Sequence, residues 1–269
     1  MIKNIGVLGC GWLGLPLAKQ LVKEGHSVYG TTTSKEKLAQ LTKEAIQAYK
    51  IALNSSEILG DIRGFLSHVD ILIVNVPPKL RGKKPENFVE KMKLLHLEVK
   101  KSNVSKLIFI SSTSVYGAIS GEVTEENTPL PNTESGIQLY ESEQLFSLDT
   151  SFHTTIIRFG GLIGPTRHRV TMLSKRKNLS NGGDPVNLIH LLDCIHMIMT
   201  IIKNEYWGEL FNGVYPLHPI KEDYYTEEAR KMGISPPHYA ENNKKEPGKL
   251  IFGKKFMDKS HHFLTSIIS

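Results

Sequence analysis

The sequence feature that most constrains the fold is a glycine-rich segment near the start of the chain, Gly9-Cys10-Gly11-Trp12-Leu13-Gly14. It follows an apolar run and opens an amphipathic stretch, and a GxGxxG motif between a strand and a helix is typical of dinucleotide-binding βαβ units. In such a unit Gly9 would make the tight turn, Gly11 would let the backbone approach a diphosphate, and Gly14 would allow close packing. A glycine turn without a ligand is the alternative interpretation.

Short apolar runs then alternate with amphipathic stretches through the first 160 residues, which predicts a parallel sheet with helices on both faces. Most of these runs are apolar at every position, as expected for strands that are covered on both sides. The predicted strands are residues 2–8, 27–31, 48–53, 70–76, 106–111 and 154–159.

Helical periodicity fills the gaps between these strands. Residues 13–24 and 88–99 each carry an apolar stripe. Ser135 and Gln138 have the spacing of a capping box, which predicts a helix from there to about Leu148.

The composition changes after Phe159 to glycine, proline and basic residues, with predicted helices at 191–202 and 222–232 and a short strand at 249–252. We therefore predict a doubly wound α/β domain over residues 1–165 and a smaller C-terminal substrate lobe over residues 166–269, partly interleaved with the first. Residues 79–84 hold four cations and are either a solvated loop or one that closes over a ligand. Residues 241–248 are predicted to be an exposed loop.

Charge and cysteine content limit the class of partner. The chain has 33 Lys and Arg against 27 Asp and Glu, a net charge of +6, which favours phosphate-bearing ligands but is no nucleic-acid signature. Cys10 and Cys194 are far apart, which indicates a reducing, cytoplasmic location and no cysteine-based zinc site. The scattered histidines predict no metal site.

An apolar stretch at residues 5–18 follows Lys3 and has some character of a signal peptide. Four glycines interrupt that stretch, no cleavage site follows, and the nucleotide interpretation explains the same residues better. No run of 18 apolar residues occurs, so we expect neither a membrane span nor a membrane partner.

The end of the second predicted strand bears on the choice of cofactor. An NAD-specific fold usually places an acidic residue there to bind the ribose 2′-hydroxyl. This chain has no acid at that point, and its hydroxyls and cation favour a 2′-phosphate and hence NADP over NAD. The residues concerned are Thr31, Thr32, Ser34 and Lys35. The same residues also suit a turn and a helix cap at Ser34.

Four segments of the sequence carry a resemblance to a known family: GWLGLPLA, SSTSVYG (residues 111–117), RFGGLIGP (158–165) and VNLIHLLD (186–193). Nearly the whole chain resembles extended short-chain dehydrogenases. The resemblance is to the NAD-dependent epimerase/dehydratase superfamily, and within it to the atypical YeeZ-like proteins. It implies a Rossmann fold with NADP or NAD as cofactor. The cofactor-binding residues that it implies, besides the glycine motif, are Asn75, Val76, Pro77, Ser111, Phe159, Gly160 and Gly161.

The chain departs from that superfamily at its catalytic pair, Tyr-x-x-x-Lys. One alignment puts Ser135 at the tyrosine and Leu139 at the lysine, so that both groups are lost. A second frame retains Tyr140 but pairs it with Gln144, which carries no charge. Ser112 matches the superfamily's catalytic serine.

The remaining candidates lie around these motifs. Ser112, Tyr140 and His190 are candidate catalytic residues, although His190 also suits a packing or capping role ahead of an apolar helix. Thr113, Ser114, Arg167 and His168 are candidate substrate-binding residues, and the last two open a basic segment that either grips an anion or is merely solvated.

Together these features predict an oxidoreductase or epimerase that acts on a small polar or anionic substrate, as a monomer or homodimer. A cofactor-binding sensor or interaction protein without catalysis is the main alternative. A nucleotide-sugar dehydratase of the usual kind would need acidic and tyrosine residues at matching positions, which this chain lacks.

Overall fold

A computed structural model describes residues 2–78, 86–240 and 248–268. The predicted loops at 79–84 and 241–248 therefore lie outside the described residues, except for Gly248. The described strands are β1 (Asn4–Leu8), β2 (Ser27–Thr32), β3 (Gln47–Lys50), β4 (Ala52–Leu53), β5 (Ile58–Leu59), β6 (Ile71–Val74), β7 (Lys106–Ser112), β8 (Gly121–Val123), β9 (His153–Phe159), β10 (Gly161–Ile163), β11 (Leu188–His190), β12 (Leu210–Gly213) and β13 (Lys249–Ile251).

Helices connect these strands. They are α1 (Gly14–Lys23), α2 (Lys35–Lys43), α3 (Ile62–Leu66), α4 (Phe88–Lys100), α5 (Glu134–Ser147), α6 (Arg169–Leu173), α7 (Leu191–Asn204), α8 (Lys221–Lys231) and α9 (Lys254–Asp258), with a 3₁₀ helix at Thr113–Tyr116.

Seven strands form the central sheet in the order β12-β9-β7-β6-β1-β2-β3. Every neighbouring pair is parallel, so each connection must return from the carboxyl end of one strand to the amino end of the next. The chain order reverses between β1 and β6, which is the topological switch point of a doubly wound sheet. The predicted fold class is confirmed.

Alternate residues of the strands face two separate apolar clusters. Ile71 and Ile73 of β6 point into a cluster that includes α1 and α7, whereas Leu72 and Val74 point into one that includes α3, α4 and α5. Because side chains of a strand alternate between the faces, an uninterrupted apolar run supplies both clusters. The sheet is thus covered by helices on both sides, as the sequence predicted.

Three details of the prediction need correction. Residues 48–53 form two strands, β3 and β4, rather than one. The side chain of Thr133, not Ser135, caps α5 by accepting a hydrogen bond from the Gly136 amide at 3.2 Å. Gln138 does not complete a capping box, because its side-chain oxygen accepts a hydrogen bond from the Phe88 amide at 2.6 Å and so joins α5 to α4.

The C-terminal part of the chain contributes to both layers. Strand β12 joins the edge of the central sheet, and α7 packs against α1. A smaller apolar cluster lies among α6, α8, β10 and β11 and includes Val170, Leu188 and Tyr224. Within the described ranges, no helix combines the length and apolar character that crossing a bilayer requires.

Candidate nucleotide-binding site

A cleft lies at the carboxyl ends of the sheet strands, at the switch point between β1 and β6. It consists of two adjoining cavities. The first, of about 380 Å³, is lined by Leu8, Gly9, Cys10, Gly11, Thr31, Thr32, Thr33, Lys37, Ile51, Leu53, Asn75, Val76, Pro77 and Lys91. The second, of about 360 Å³, is lined by Gly11, Trp12, Leu13, Asn75, Val76, Pro77, Pro78, Ile110, Ser111, Ser112, Leu139, Phe159, Gly160, Gly161, Leu162 and Arg167.

The two cavities share part of the glycine loop and the segment after β6, namely Gly11, Asn75, Val76 and Pro77. Cavities of this size are typical of small-molecule sites. Because they adjoin at the glycine loop, an extended ligand with a central phosphate group fits their arrangement better than two separate ligands.

The glycine loop is held by hydrogen bonds from neighbouring strands. The Gly9 amide donates to Thr31 Oγ1 at 2.9 Å, the Cys10 amide to the Thr31 carbonyl at 2.8 Å, and Asn75 Nδ2 to the Gly9 carbonyl at 2.9 Å. Gly9 has a φ of +105°, which strongly favours glycine. The loop is therefore shaped before any ligand binds.

The other two glycines of the motif meet very different surroundings. A Cβ added to Gly14 would lie 2.1 Å from the Gly9 carbonyl oxygen, so this position packs the helix against the loop. A Cβ added to Gly11 would meet nothing within 4 Å and would enter the cleft. The packing role predicted for Gly14 and the ligand-facing role predicted for Gly11 are compatible with these surroundings, and ligand contact at Gly11 stays a prediction.

Helix α1 begins directly at this loop. No side chain caps its N-terminus, and its first turn holds no acidic residue. The first backbone amides of a helix lack intrahelical acceptors and carry partial positive charge, which suits a phosphate. The open position at Gly11 and this uncapped helix together fit the diphosphate of a dinucleotide.

Two cations that sequence reasoning missed, Lys37 and Lys91, line the first cavity. Lys91 is 4% exposed and pairs with Glu86, whereas Lys37 is exposed on α2. Lys37 lies on α2, directly after β2, but the sequence alone does not show which face of this helix meets the cleft. Thr33 also lines this cavity.

Only part of the hydroxyl-rich segment that was predicted to bind a 2′-phosphate lies at the first cavity. Thr31 and Thr32 line the first cavity, while Ser34 and Lys35 do not. The Ser34 hydroxyl donates a hydrogen bond to Glu36 instead of capping α2. A direct role for Ser34 and Lys35 in cofactor binding stays a prediction.

The second cavity is bordered by two serines at the end of β7. The Ser111 hydroxyl is buried and has no hydrogen-bond partner within the described chain. Ser112 Oγ accepts a hydrogen bond from the Ser114 amide at 3.2 Å and so caps the 3₁₀ helix. A buried hydroxyl without a partner is costly unless a ligand satisfies it, which supports a ligand-binding role for this end of the cleft.

Leu139 lines the second cavity, at the position that the resemblance assigns to the superfamily's lysine. Tyr140, the residue of the other frame, is not part of the lining and packs against the apolar cluster of α3, α4 and α5. The cleft as described therefore holds neither member of a Tyr-Lys pair. A catalytic role for Tyr140 stays a prediction that the geometry does not favour.

The other candidates occupy three kinds of environment. Arg167 lines the second cavity, whereas His190 caps α7, with its Nδ1 accepting from the Leu192 amide at 3.3 Å. His168 caps α6 and lies 3.1 Å from the Tyr224 hydroxyl, and burial lowers its pKa although Glu228 opposes the shift. Thr113 and Ser114 belong to the 3₁₀ helix that follows Ser112, and neither is among the lining residues of these two cavities.

Cys10 lies inside the glycine motif, but its thiol is not suited to act as a nucleophile. Burial raises its pKa to about 12, and a backbone hydrogen bond involving Thr31 opposes that shift only in part. The thiol is therefore protonated at neutral pH, and its role is packing beside Gly30. No group of three or more His, Cys, Asp or Glu side chains with metal-binding geometry occurs among the described residues.

Comparison with known proteins agrees with this geometry. A family model described as NAD(P)H-binding matches residues 9–187. Protein YeeZ of Escherichia coli strain K12 is 30% identical over 255 residues, which cover 94% of this chain and 93% of YeeZ.

Many solved structures share the fold, including two complexes with NAD. UDP-glucuronic acid 4-epimerase from Bacillus cereus in complex with NAD aligns with a TM-score of 0.81 at 19% identity, over 98% of this chain and 94% of that one. MoeE5 in complex with UDP-glucuronic acid and NAD aligns with a TM-score of 0.79 at 16% identity, over 98% and 95% of the two chains.

The chain therefore belongs to the NAD(P)H-binding family and has the Rossmann fold of NAD-dependent epimerases and dehydratases. Within that class it is a homologue of YeeZ.

Proposed function

We propose that this protein binds NADP(H) or NAD(H) in the cleft and acts as an oxidoreductase or epimerase on a small polar substrate. The observation that carries the proposal is the pair of adjoining cavities that share Gly11. We assign the adenosine of the dinucleotide to the first cavity and the nicotinamide to the second. Two structures with this fold were solved in complex with NAD, which supports a nicotinamide dinucleotide as the ligand.

A direct test is a calorimetric titration of the wild-type protein with NADPH and with NADH. Saturable binding with a 1:1 stoichiometry is expected for at least one of them. A crystal soaked in the tighter ligand would then identify the side chains beside the nicotinamide. Failure to bind either dinucleotide would contradict the proposal.

The finer proposal is a preference for NADPH that depends on Lys37. A charged hydrogen bond contributes about 1.5–3 kcal/mol, which corresponds to tenfold or more in affinity. Lys37→Met is therefore expected to weaken NADPH binding about tenfold and to leave NADH binding nearly unchanged. The measurement is the ratio of the two dissociation constants.

Lys35→Met provides the matched control, since it removes the same charge from the same helix at a position outside the cavity lining. We expect it to change the ratio by less than about twofold. A loss of preference in Lys35→Met alone would support the original assignment of the 2′-phosphate to Lys35. Equal wild-type affinity for both cofactors would contradict the preference itself.

The bound nicotinamide would supply a hydride acceptor or donor, so the chain itself must supply substrate orientation and proton transfer. Ser112 lies at the cavity wall with its Oγ accepting from a backbone amide, so its hydroxyl hydrogen remains available for a substrate oxygen. Ser111 offers a second hydroxyl in the same wall. We propose that Ser112, acting with a water molecule, replaces the missing tyrosine.

Ser112→Ala is accordingly expected to lower kcat/KM by at least about 100-fold, the usual range for a lost acid–base group, with cofactor affinity intact. Tyr140→Phe should change kcat/KM by less than about twofold. The measurement is NAD(P)H turnover over a panel of aldehydes, ketones and nucleotide sugars, with the melting temperature of each variant as a check on folding. A comparable loss in Tyr140→Phe would show that Tyr140 is the working group.

A second candidate function is non-catalytic, a protein that binds the dinucleotide as a sensor. Leu139 at the lysine position is the observation that favours it, because an apolar side chain there neither binds ribose nor lowers the pKa of a tyrosine. Tight NADPH binding without turnover on any substrate of the panel would favour this alternative.

A further inference from the structure

Arg167 belongs to the C-terminal part of the chain but reaches the glycine loop of the first part. It ends a tight turn in which Gly164 and Arg167 exchange two backbone hydrogen bonds, each of 3.0 Å. Thr166 in this turn has a φ of +61°, so the backbone conformation is specific. The turn holds the Arg167 side chain at the border of the second cavity.

Trp12 of the glycine motif contacts this turn at two points. Its indole Nε1 donates a hydrogen bond to the Pro165 carbonyl at 3.1 Å, and the Arg167 guanidinium lies 5.0 Å from the centre of its ring. That separation is within the range of a cation–π interaction. The guanidinium is therefore held against the glycine loop, whose residue Gly11 lines both cavities.

The charge of the second cavity is unbalanced. Among the described residues that line it, Arg167 is the single charged side chain, and it forms no ion pair with a carboxylate in the described part of the chain. A cation in such a place favours an anionic ligand, and guanidinium binds phosphate oxygens with two parallel hydrogen bonds. The anion nearest to the glycine loop in a bound dinucleotide is its diphosphate.

We propose that Arg167 binds the diphosphate of the nucleotide from the C-terminal lobe and that Trp12 is a positioning residue for its guanidinium. This inference rests on the proposed function, and it differs from the sequence-based prediction that Arg167 binds the substrate. A bound nucleotide would then contact both the glycine loop and the turn at Gly164–Arg167.

The test uses two probes that differ in the diphosphate. ADP-ribose carries it, and adenosine fills the first cavity without any phosphate. Arg167→Met is expected to weaken ADP-ribose binding about tenfold, measured by calorimetry, and to leave adenosine binding unchanged within about twofold, measured by ligand-observed NMR. Arg169→Met removes the same charge two residues away, outside either cavity, and should alter neither affinity.

Unchanged ADP-ribose affinity in Arg167→Met would overturn the inference and would favour the sequence-based prediction that Arg167 binds the substrate. An equal loss of ADP-ribose and adenosine affinity would also overturn it, because the variant would then act through the fold. Wild-type protein that binds neither NAD(P)H nor ADP-ribose would contradict the proposed function together with this inference.

The positioning role of Trp12 is tested separately, by a double-mutant cycle with Arg167. Trp12→Leu is expected to weaken ADP-ribose binding about threefold in the wild-type background and to have almost no effect in the Arg167→Met background. Such coupling in a double-mutant cycle separates positioning of the guanidinium from independent packing. Additive effects of the two substitutions would contradict the positioning role.

Discussion

Gly11→Val is expected to weaken the binding of NADPH and NADH by at least about 100-fold while the protein stays folded. The Cβ of the new side chain meets no atom within 4 Å, and Gly11 does not have a positive φ, so the fold accommodates it. Its branched methyl groups then occupy the space that both cavities share. Loss of two charged hydrogen bonds to the diphosphate, at about 1.5 kcal/mol each, accounts for this factor.

Calorimetric titration measures the affinity, and the thermal unfolding midpoint measures the fold. Gly11→Ala is a graded control, because one methyl group fills less of the shared space and should cause a smaller loss. Gly14→Ala is expected to act through stability instead, since its Cβ would lie 2.1 Å from the Gly9 carbonyl oxygen. Unchanged cofactor affinity in folded Gly11→Val would refute dinucleotide binding at this loop.

The difference between Gly11 and Gly14 shows what a local motif can predict. The GxGxxG spacing assigns roles to each glycine because those roles depend on backbone geometry within one βαβ unit. The buried strands were predictable for a similar reason, since runs of apolar residues covered on both faces need no tertiary information. Strand β12 was missed because Leu210–Gly213 is short and contains Asn212 and a glycine.

Residues of the site that lie within the strand-end motifs, such as Ser111, Ser112, Phe159 and Gly160, were predictable by resemblance and do line the cleft. Lys37 and Lys91 were not, because their place depends on how α2 and α4 pack beside the sheet. The cap of α5 was assigned two residues too late because Thr133 and Ser135 are both good capping residues.

A buried ion pair that the sequence did not reveal joins α5 to β9. Arg158 of β9 is 3% exposed and Glu143 of α5 is fully buried, and the guanidinium donates to Glu143 Oε2 at 2.6 Å. Arg158 also lies over the Tyr116 ring, whose hydroxyl donates to Asn212 Oδ1 of β12 at 2.9 Å. This network joins α5 to the two strands at one edge of the sheet, directly before the cleft residues Phe159 and Gly160.

Glu143→Gln is expected to lower the free energy of unfolding by about 3–5 kcal/mol, because it leaves the Arg158 charge buried without a counterion. The measurement is urea denaturation followed by circular dichroism, with Arg63→Gln as the control. Arg63 pairs with Glu98 but is 76% exposed, so solvent screening makes the expected loss there much smaller than at Glu143.

Replacing both partners, as in Glu143→Leu with Arg158→Met, should recover much of that loss, because no charge is then left in the interior. The double variant separates the cost of an unpaired charge from a general disturbance of packing. If Glu143→Gln costs no more than Arg63→Gln, the pair does not stabilise this edge of the sheet. If the single variant is destabilised but the double variant is equally so, the loss arises from packing around α5 and the Tyr116–Asn212 contact rather than from charge.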